Sequence, residues 1–180
     1  MKLLFAAASA AALFLAGPAL AQSALAQFYG NLGYAHHTVD PGNGGEDVSL
    51  GTIDARLGAR FGQYFGAEGE AGLGVKNETV GTGADEIDVK LENKIGAYAV
   101  GFLPVAPNAD LFARVGYSRL EVGVEGFGAA ASESEGALSY GAGAQYMFDG
   151  VNGVRADYTR YDFDEGGDMD SFGLAYVRRF

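Results

Sequence analysis

Apolar and polar residues alternate one by one along most of the chain. In QFYGNLGYAHHT, Phe28, Gly30, Leu32 and Tyr34 share one face, opposite Gln27, Tyr29 and Asn31. In TIDARLGARF, Ile53, Ala55, Leu57, Ala59 and Phe61 oppose Asp54, Arg56, Gly58 and Arg60. AEGEAGLGVK sets Ala67, Ala71, Leu73 and Val75 against Glu68, Glu70 and Lys76. LFARVGYS sets Leu111, Ala113, Val115 and Tyr117 against Arg114 and Ser118. The same pattern runs through LSYGAGAQYMF, VRADYTRY and SFGLAYVRRF. A side-chain period of two belongs to a β-strand, whose successive side chains point to opposite faces. No long stretch after residue 26 favours the helical period.

The alternation predicts eight strands, over 27–38, 49–61, 65–77, 87–103, 110–122, 137–148, 152–163 and 170–180. The fourth is the least regular, because GAYAVGF is apolar on both faces. Keeping Lys94 inward puts Ile95, Ala97, Ala99 and Leu103 outside, with Tyr98, Val100 and Phe102 inside. Connections 62–64, 104–109 and 149–151 are short. Connections 39–48, 78–86 and 123–136 are longer and rich in Gly, Glu, Asp and Ser, and 164–169 is short and acidic. Short turns at one end and longer loops at the other are the signature of a barrel that crosses an outer membrane.

Alternation alone also fits a soluble barrel, with its apolar face as core. Three features favour lipid outside. The polar faces of neighbouring strands carry both charge signs. The apolar faces mix Ala and Gly with Leu, Val and aromatics, a thin core but a sufficient lipid face. Aromatics gather at strand ends, with Phe61, Phe65, Phe112, Phe148 and Phe180 toward the turns and Tyr34, Tyr117, Tyr140 and Phe172 toward the loops. These would form the two interfacial girdles. The expected fold class is all-β: an eight-stranded antiparallel up-and-down transmembrane β-barrel.

The N-terminus agrees with export. Lys2 precedes an apolar run from Leu3 to Leu15 and a small-residue site at Ala19-Leu20-Ala21. This reads as a secretory signal peptide over 1–21, with a second possible site at Ala24-Leu25-Ala26, and a barrel domain over 22–180. The apolar run is shorter than the ~20 residues of a membrane-spanning helix. Composition narrows function by exclusion. Twenty-three acids against 12 bases argue against nucleic acid as a partner, and the absence of Cys removes disulfides, thiolate metal sites and cysteine nucleophiles.

The C-terminal strand places Phe172, Leu174, Tyr176 and Phe180 on one face. The pattern resembles the C-terminal signal read by the barrel-assembly machinery of outer-membrane proteins. Arg178, on that face, is read as reaching to headgroup phosphates. From about residue 27 to Phe180 the chain resembles the small eight-stranded outer-membrane barrels, the OmpA-like, OmpX-like and Opa-like group also labelled porin family. IGAYAVGFLPVAPNADLFARVGYS, strand, short turn and strand, is the most family-like piece. The resemblance implies an outer-membrane location in a Gram-negative bacterium. It implies contact with membrane lipid and lipopolysaccharide, and delivery through periplasmic chaperones and the assembly machinery. It also implies a monomer. No periplasmic peptidoglycan-binding domain is expected after the barrel.

Eight strands enclose a space that side chains can fill. Asp54, Arg56, Arg60, Glu68, Glu70, Lys94, Arg114, Arg155 and Asp157 are expected to meet there as a structural network, centred on Glu68, Glu70, Arg56, Arg114 and Arg155, that plugs the lumen. The rival is a narrow solute pore lined by the same charges. His36 and His37 occupy opposite faces, which disfavours a shared metal or relay and makes them interfacial polar residues. A lipid A-modifying enzyme would need one of them with Ser49, Thr38 and Asp47, and no family motif surrounds these residues. GNGGED and DFDEGGDMD offer carboxylates but not the EF-hand spacing of a calcium loop, and read as solvated loops. No catalytic residue, cofactor or metal is assigned. The expected role is non-enzymatic, in envelope integrity or surface interaction.

Overall fold

Each alternating segment is a strand. The structure, a computed structural model, describes residues 26–40, 48–76, 78–80, 87–126, 129–164 and 166–180. The segment read as a signal peptide and the GNGGED loop lie outside the described residues. The strands are β1 (Gln27–Asp40), β2 (Val48–Phe61), β3 (Phe65–Lys76), β4 (Glu78–Val80), β5 (Ile87–Ala106), β6 (Ala109–Gly126), β7 (Ala129–Met147), β8 (Asn152–Phe163) and β9 (Asp168–Arg179). β4 carries on beyond β3 along the same edge of β5, so the wall has eight staves.

Every neighbouring pair is antiparallel, and β1 also pairs with β9, from Tyr29↔Arg179 to Asp40↔Asp168. That pairing closes the sheet into a barrel, so within the wall every stave has a neighbour on both sides. The last residue is tied in as well: the Phe180 N–H donates to the Phe28 carbonyl at 2.9 Å. The closing seam depends on Gly33, where a Cβ would stand 2.2 Å from the Leu174 carbonyl oxygen. Gly62, at φ 68°, opens the β2–β3 turn in the left-handed region that glycine adopts without strain.

Several strands outrun their sequence boundaries. The 123–136 segment, read as a loop, is mostly strand: β6 reaches Gly126, β7 starts at Ala129, and these two residues pair. Segment 104–109 is strand except at 107–108, and Pro104 is accommodated where the β5–β6 register shifts. Glu78–Val80 pairs with Ile87–Val89 inside the segment read as the 78–86 loop. Backbone pairing carries on past the lipid boundary, where no apolar face is required, so apolar alternation fails to mark it.

The outward face is apolar. Ile95 and Leu103 are each 58% exposed while Lys94 is 1% exposed, which fixes the register of β5. Phe61, Phe65 and Phe148 are exposed toward the turn end, and Tyr34, Tyr117, Tyr140 and Phe172 toward the loop end. Phe112 does not belong with them. It is 4% exposed and faces the lumen, because it shares the parity of Arg114 rather than that of Leu111.

Inside, two apolar clusters fill the ends. Tyr29, Tyr98, Val100, Phe102, Phe112, Met147 and Val177 pack toward the turns. Leu50, Leu91, Leu120, Ala137, Tyr161 and Met169 pack toward the loops. The charges lie between and just below them.

A closed barrel with a lipid-facing wall resists detergent. Outer-membrane fractions run unboiled on a gel should show a faster band that shifts on heating, and Gly33→Val should abolish that faster band by blocking the β1–β9 seam. At the β7–β8 turn, Asp149 accepts the N–H groups of Val151 and Asn152 and the Asn152 side-chain amide. These bonds hold its carboxyl below the ordinary Asp value. The ionised form therefore favours the folded turn above that value, and the contribution disappears as pH falls through the depressed one. An NMR titration of the folded barrel should place the Asp149 midpoint below that of a free aspartate.

Candidate functional site

Strand alternation alone aims the charges inward. Even-numbered positions of β2 present Thr52, Asp54, Arg56 and Arg60, and those of β3 present Glu68 and Glu70. Lys94 comes from β5, Arg114 from β6, and Arg155 and Asp157 from β8. All are buried.

Glu70 is the hub. One of its oxygens, Oε2, accepts from Arg56 Nε at 2.5 Å and Arg114 Nη1 at 2.8 Å. The other, Oε1, lies 3.2 Å from Lys94 Nζ and accepts from the Tyr161 hydroxyl at 3.4 Å. Glu68 takes a two-pronged contact from Arg155, at 2.5 and 3.1 Å, and a hydrogen bond from the Tyr29 hydroxyl at 2.7 Å. Asp157 takes two bonds from Arg56, at 2.7 and 3.1 Å. Asp54 lies 2.8 Å from Lys94 Nζ and accepts from the Thr52 hydroxyl. Four carboxylates (Asp54, Glu68, Glu70, Asp157) thus face four cations (Arg56, Lys94, Arg114, Arg155), so this layer is neutral as a whole. Charges removed from water survive only with such pairing.

The turn-side apolar cluster touches the buried cations through its rings. The guanidinium of Arg155 lies 3.8 Å from the Phe112 ring centre, Arg114 4.0 Å from Tyr98, and Arg60 4.3 Å from Phe102. Such contacts suit a weakly hydrated, planar cation.

Arg60 stands apart from the central layer. It binds Asp110 through two nitrogens, at 2.9 and 3.0 Å, and Asp110 also accepts from Gln145 at 2.9 Å and Arg179 at 3.1 Å. The sequence reading passed over Asp110, Gln145 and Arg179. Asp110 shares the parity of Arg114 four residues on, and that signal was available. Arg179 alternates with Arg178, which faces out. Tyr29 and Tyr98 were placed on inward faces by the sequence reading but not counted as network partners, and Tyr161 was passed over.

The two histidines separate. His37 is not interfacial: it is fully buried inside, with Nε2 2.8 Å from Thr52 Oγ1. His36 is on the outer face. Thr38 and Ser49 are directly opposed across β1–β2, on the face away from His37. Asp47 lies outside the described residues. DFDEGGDMD is not a free ligand loop either. Asp168 and Asp170 pair with Arg160, Asp170 accepts from Tyr158, and Asp164 accepts from Tyr117. On β9, Phe172, Leu174 and Tyr176 are exposed on the outer wall, and Phe180 lies just beyond the strand.

Residues 7–180 match the family model described as outer membrane protein beta-barrel domain. No curated protein sequence matches the chain. Among solved structures, the barrel is similar to Ail, the attachment invasion locus protein of Yersinia pestis, in complex with the heparin analogue sucrose octasulfate. The TM-score is 0.66 at 19% identity, covering 87% of this chain and 99% of that one. Neisserial surface protein A gives 0.59 at 15% identity, covering 84% and 95%. The N-terminal barrel domain of Pseudomonas aeruginosa OprF gives 0.54 at 10% identity, covering 84% and 98%. At these identities the likeness is one of fold.

Removing the hub leaves three cations short of a partner. Glu70→Ala should destabilise the barrel by about 3–5 kcal/mol, read as a lower urea midpoint in the heat-shift gel. Asp168→Ala, which breaks a half-exposed pair on the outer wall, should move the midpoint far less.

Proposed function

Because the chain belongs to the outer membrane protein beta-barrel family, we propose that it is a non-enzymatic barrel of the bacterial outer membrane. Its lumen is shut, and it supports envelope integrity and surface contact. The observation that carries this reading is the neutral charge layer held between two apolar clusters. An ion crossing the lumen would have to part paired charges and enter a dry, ring-filled end. Both steps cost far more than thermal energy supplies.

A second observation favours surface contact. β6 runs nine residues past Tyr117 to Gly126, roughly 30 Å of strand at ~3.3 Å per residue. β7 follows it on one side, and β5 runs along the other. Pairing of β7 with β8 stops at Ala137↔Phe163, while pairing with β6 continues to Ala129. Among the described residues, 129–134 therefore present one edge that no strand covers. Such an edge can take up an extended chain by backbone pairing. The four outer connections contain Asp and Glu but no Lys or Arg, so the fitting partner is basic. The heparin analogue bound by Ail has the opposite chemistry, and this surface does not favour it.

The remaining assignments follow the family. Residues 1–21 serve as the cleaved signal, periplasmic chaperones carry the chain, and the assembly machinery reads Phe172, Leu174, Tyr176 and Phe180. The finished barrel is a monomer among lipid and lipopolysaccharide.

In planar bilayers the purified barrel should give no steady single-channel steps; regular steps would favour the solute-pore reading. An oligolysine peptide should bind at low salt and heparin should not. Replacing 124–131 with a two-residue turn should weaken peptide binding while the heat-dependent gel shift persists. Lipid A from cells carrying His36→Ala or His37→Ala should keep its acyl pattern; a changed pattern would favour the enzyme.

A further inference from the structure

One buried side chain stands outside the network. Asn31 is 1% exposed on the inward face of β1, and neither its Oδ1 nor its Nδ2 has a hydrogen-bond partner. A buried amide left in that state loses its hydration with nothing in return. Asn31 borders a small cavity of about 10 Å³, lined also by Gly33, Asp54, Arg56, Gly173 and Ala175, with the outer-wall residues Tyr34 and Leu174 at its margin. The register explains the space. Asn31 lies opposite Arg56, and Gly33 opposite Asp54 on one side and Ala175 on the other. Gly173 lies opposite Asp157. Two glycines without side chains leave room beside three charged residues.

We infer that this cavity is a binding site for a single water molecule, held by Asn31 at the seam where β1 meets β9. The volume accommodates one water and little more. The lining selects the ligand class. A cation would meet the Arg56 guanidinium, and an anion would meet the Asp54 carboxylate. A neutral molecule that both donates and accepts satisfies all of them. Water can donate to Asn31 Oδ1 and to Asp54, and accept from Asn31 Nδ2. It joins the terminal strands to the charge layer at a point where no side chain does. The inference rests on the closed lumen proposed above, and conductance tests that closure separately. A channel-active barrel with the water in place would overturn closure and leave the site.

The test is a crystal structure of the refolded barrel at a resolution that shows ordered solvent, with Asn31→Leu and Gly173→Ala beside it. The wild-type protein should show one isolated solvent peak within hydrogen-bond distance of both Asn31 amide atoms. Asn31→Leu should lose the peak by removing its partners. Gly173→Ala should lose it by filling the space, its new methyl standing about 3.2 Å from the Asp157 carboxylate. An empty wild-type cavity overturns the inference. So does Asn31 turned onto a protein partner, a file of solvent running out past either apolar end, or a peak that persists in both variants.

Discussion

A backbone amide in hydrocarbon has no water to bond, and each one left unpaired costs several kcal/mol. A sheet meets that condition only by closing on itself. The β1–β9 pairing is therefore the contact on which the rest depends. Closure makes an inside, and a side-chain period of two then sorts every residue into wall or lumen without further choice. The charge layer follows from that sorting: residues that lipid would reject have one place left to go.

The interior divides into layers by chemistry. Two apolar ends exclude water, and exclusion strengthens the ion pairs between them. Unpaired charge there would be intolerable, which is why the four carboxylates and four cations match in number. Rings mediate the boundary. Phe112 and Tyr98 belong to the apolar cluster by burial and to the charged layer through Arg155 and Arg114 against their faces, and Phe102 does the same for Arg60 on the turn side. This explains how Tyr98, Val100 and Phe102 sit inward on β5 without disturbing its register.

Parity made much of this readable in advance. Alternation located the staves and sorted charges from aliphatics, as with Ile95 and Lys94. It failed where a residue's type and its parity disagree. Phe112 reads as a girdle aromatic until it is counted from Arg114, and His37 reads as interfacial until it is counted from Tyr29 and Asn31. The strand ends were illegible for another reason. Outside the membrane the ladder of β6 and β7 is sustained by backbone bonds; the sequence of β6 keeps an alternation at Val122 and Val124, but AAASESEG on β7 carries no apolar rhythm. Which cation meets which carboxylate was also hidden, since Arg56 reaches Asp157 across 101 residues of chain.

That last separation bears on how the molecule is made and unmade. Arg56–Asp157 and Arg155–Glu68 join strands from opposite halves of the sequence, 101 and 87 residues apart. Hairpins can zip locally, but these bridges cannot form until the halves come round to face each other. Non-local contacts of this kind are reached late, after the loop-closure entropy has been met. Stabilisation absent from the transition state slows opening rather than hastening assembly. The lumen thus acts as a latch: it adds little while the wall is being built and holds the wall shut once the terminal strands have met.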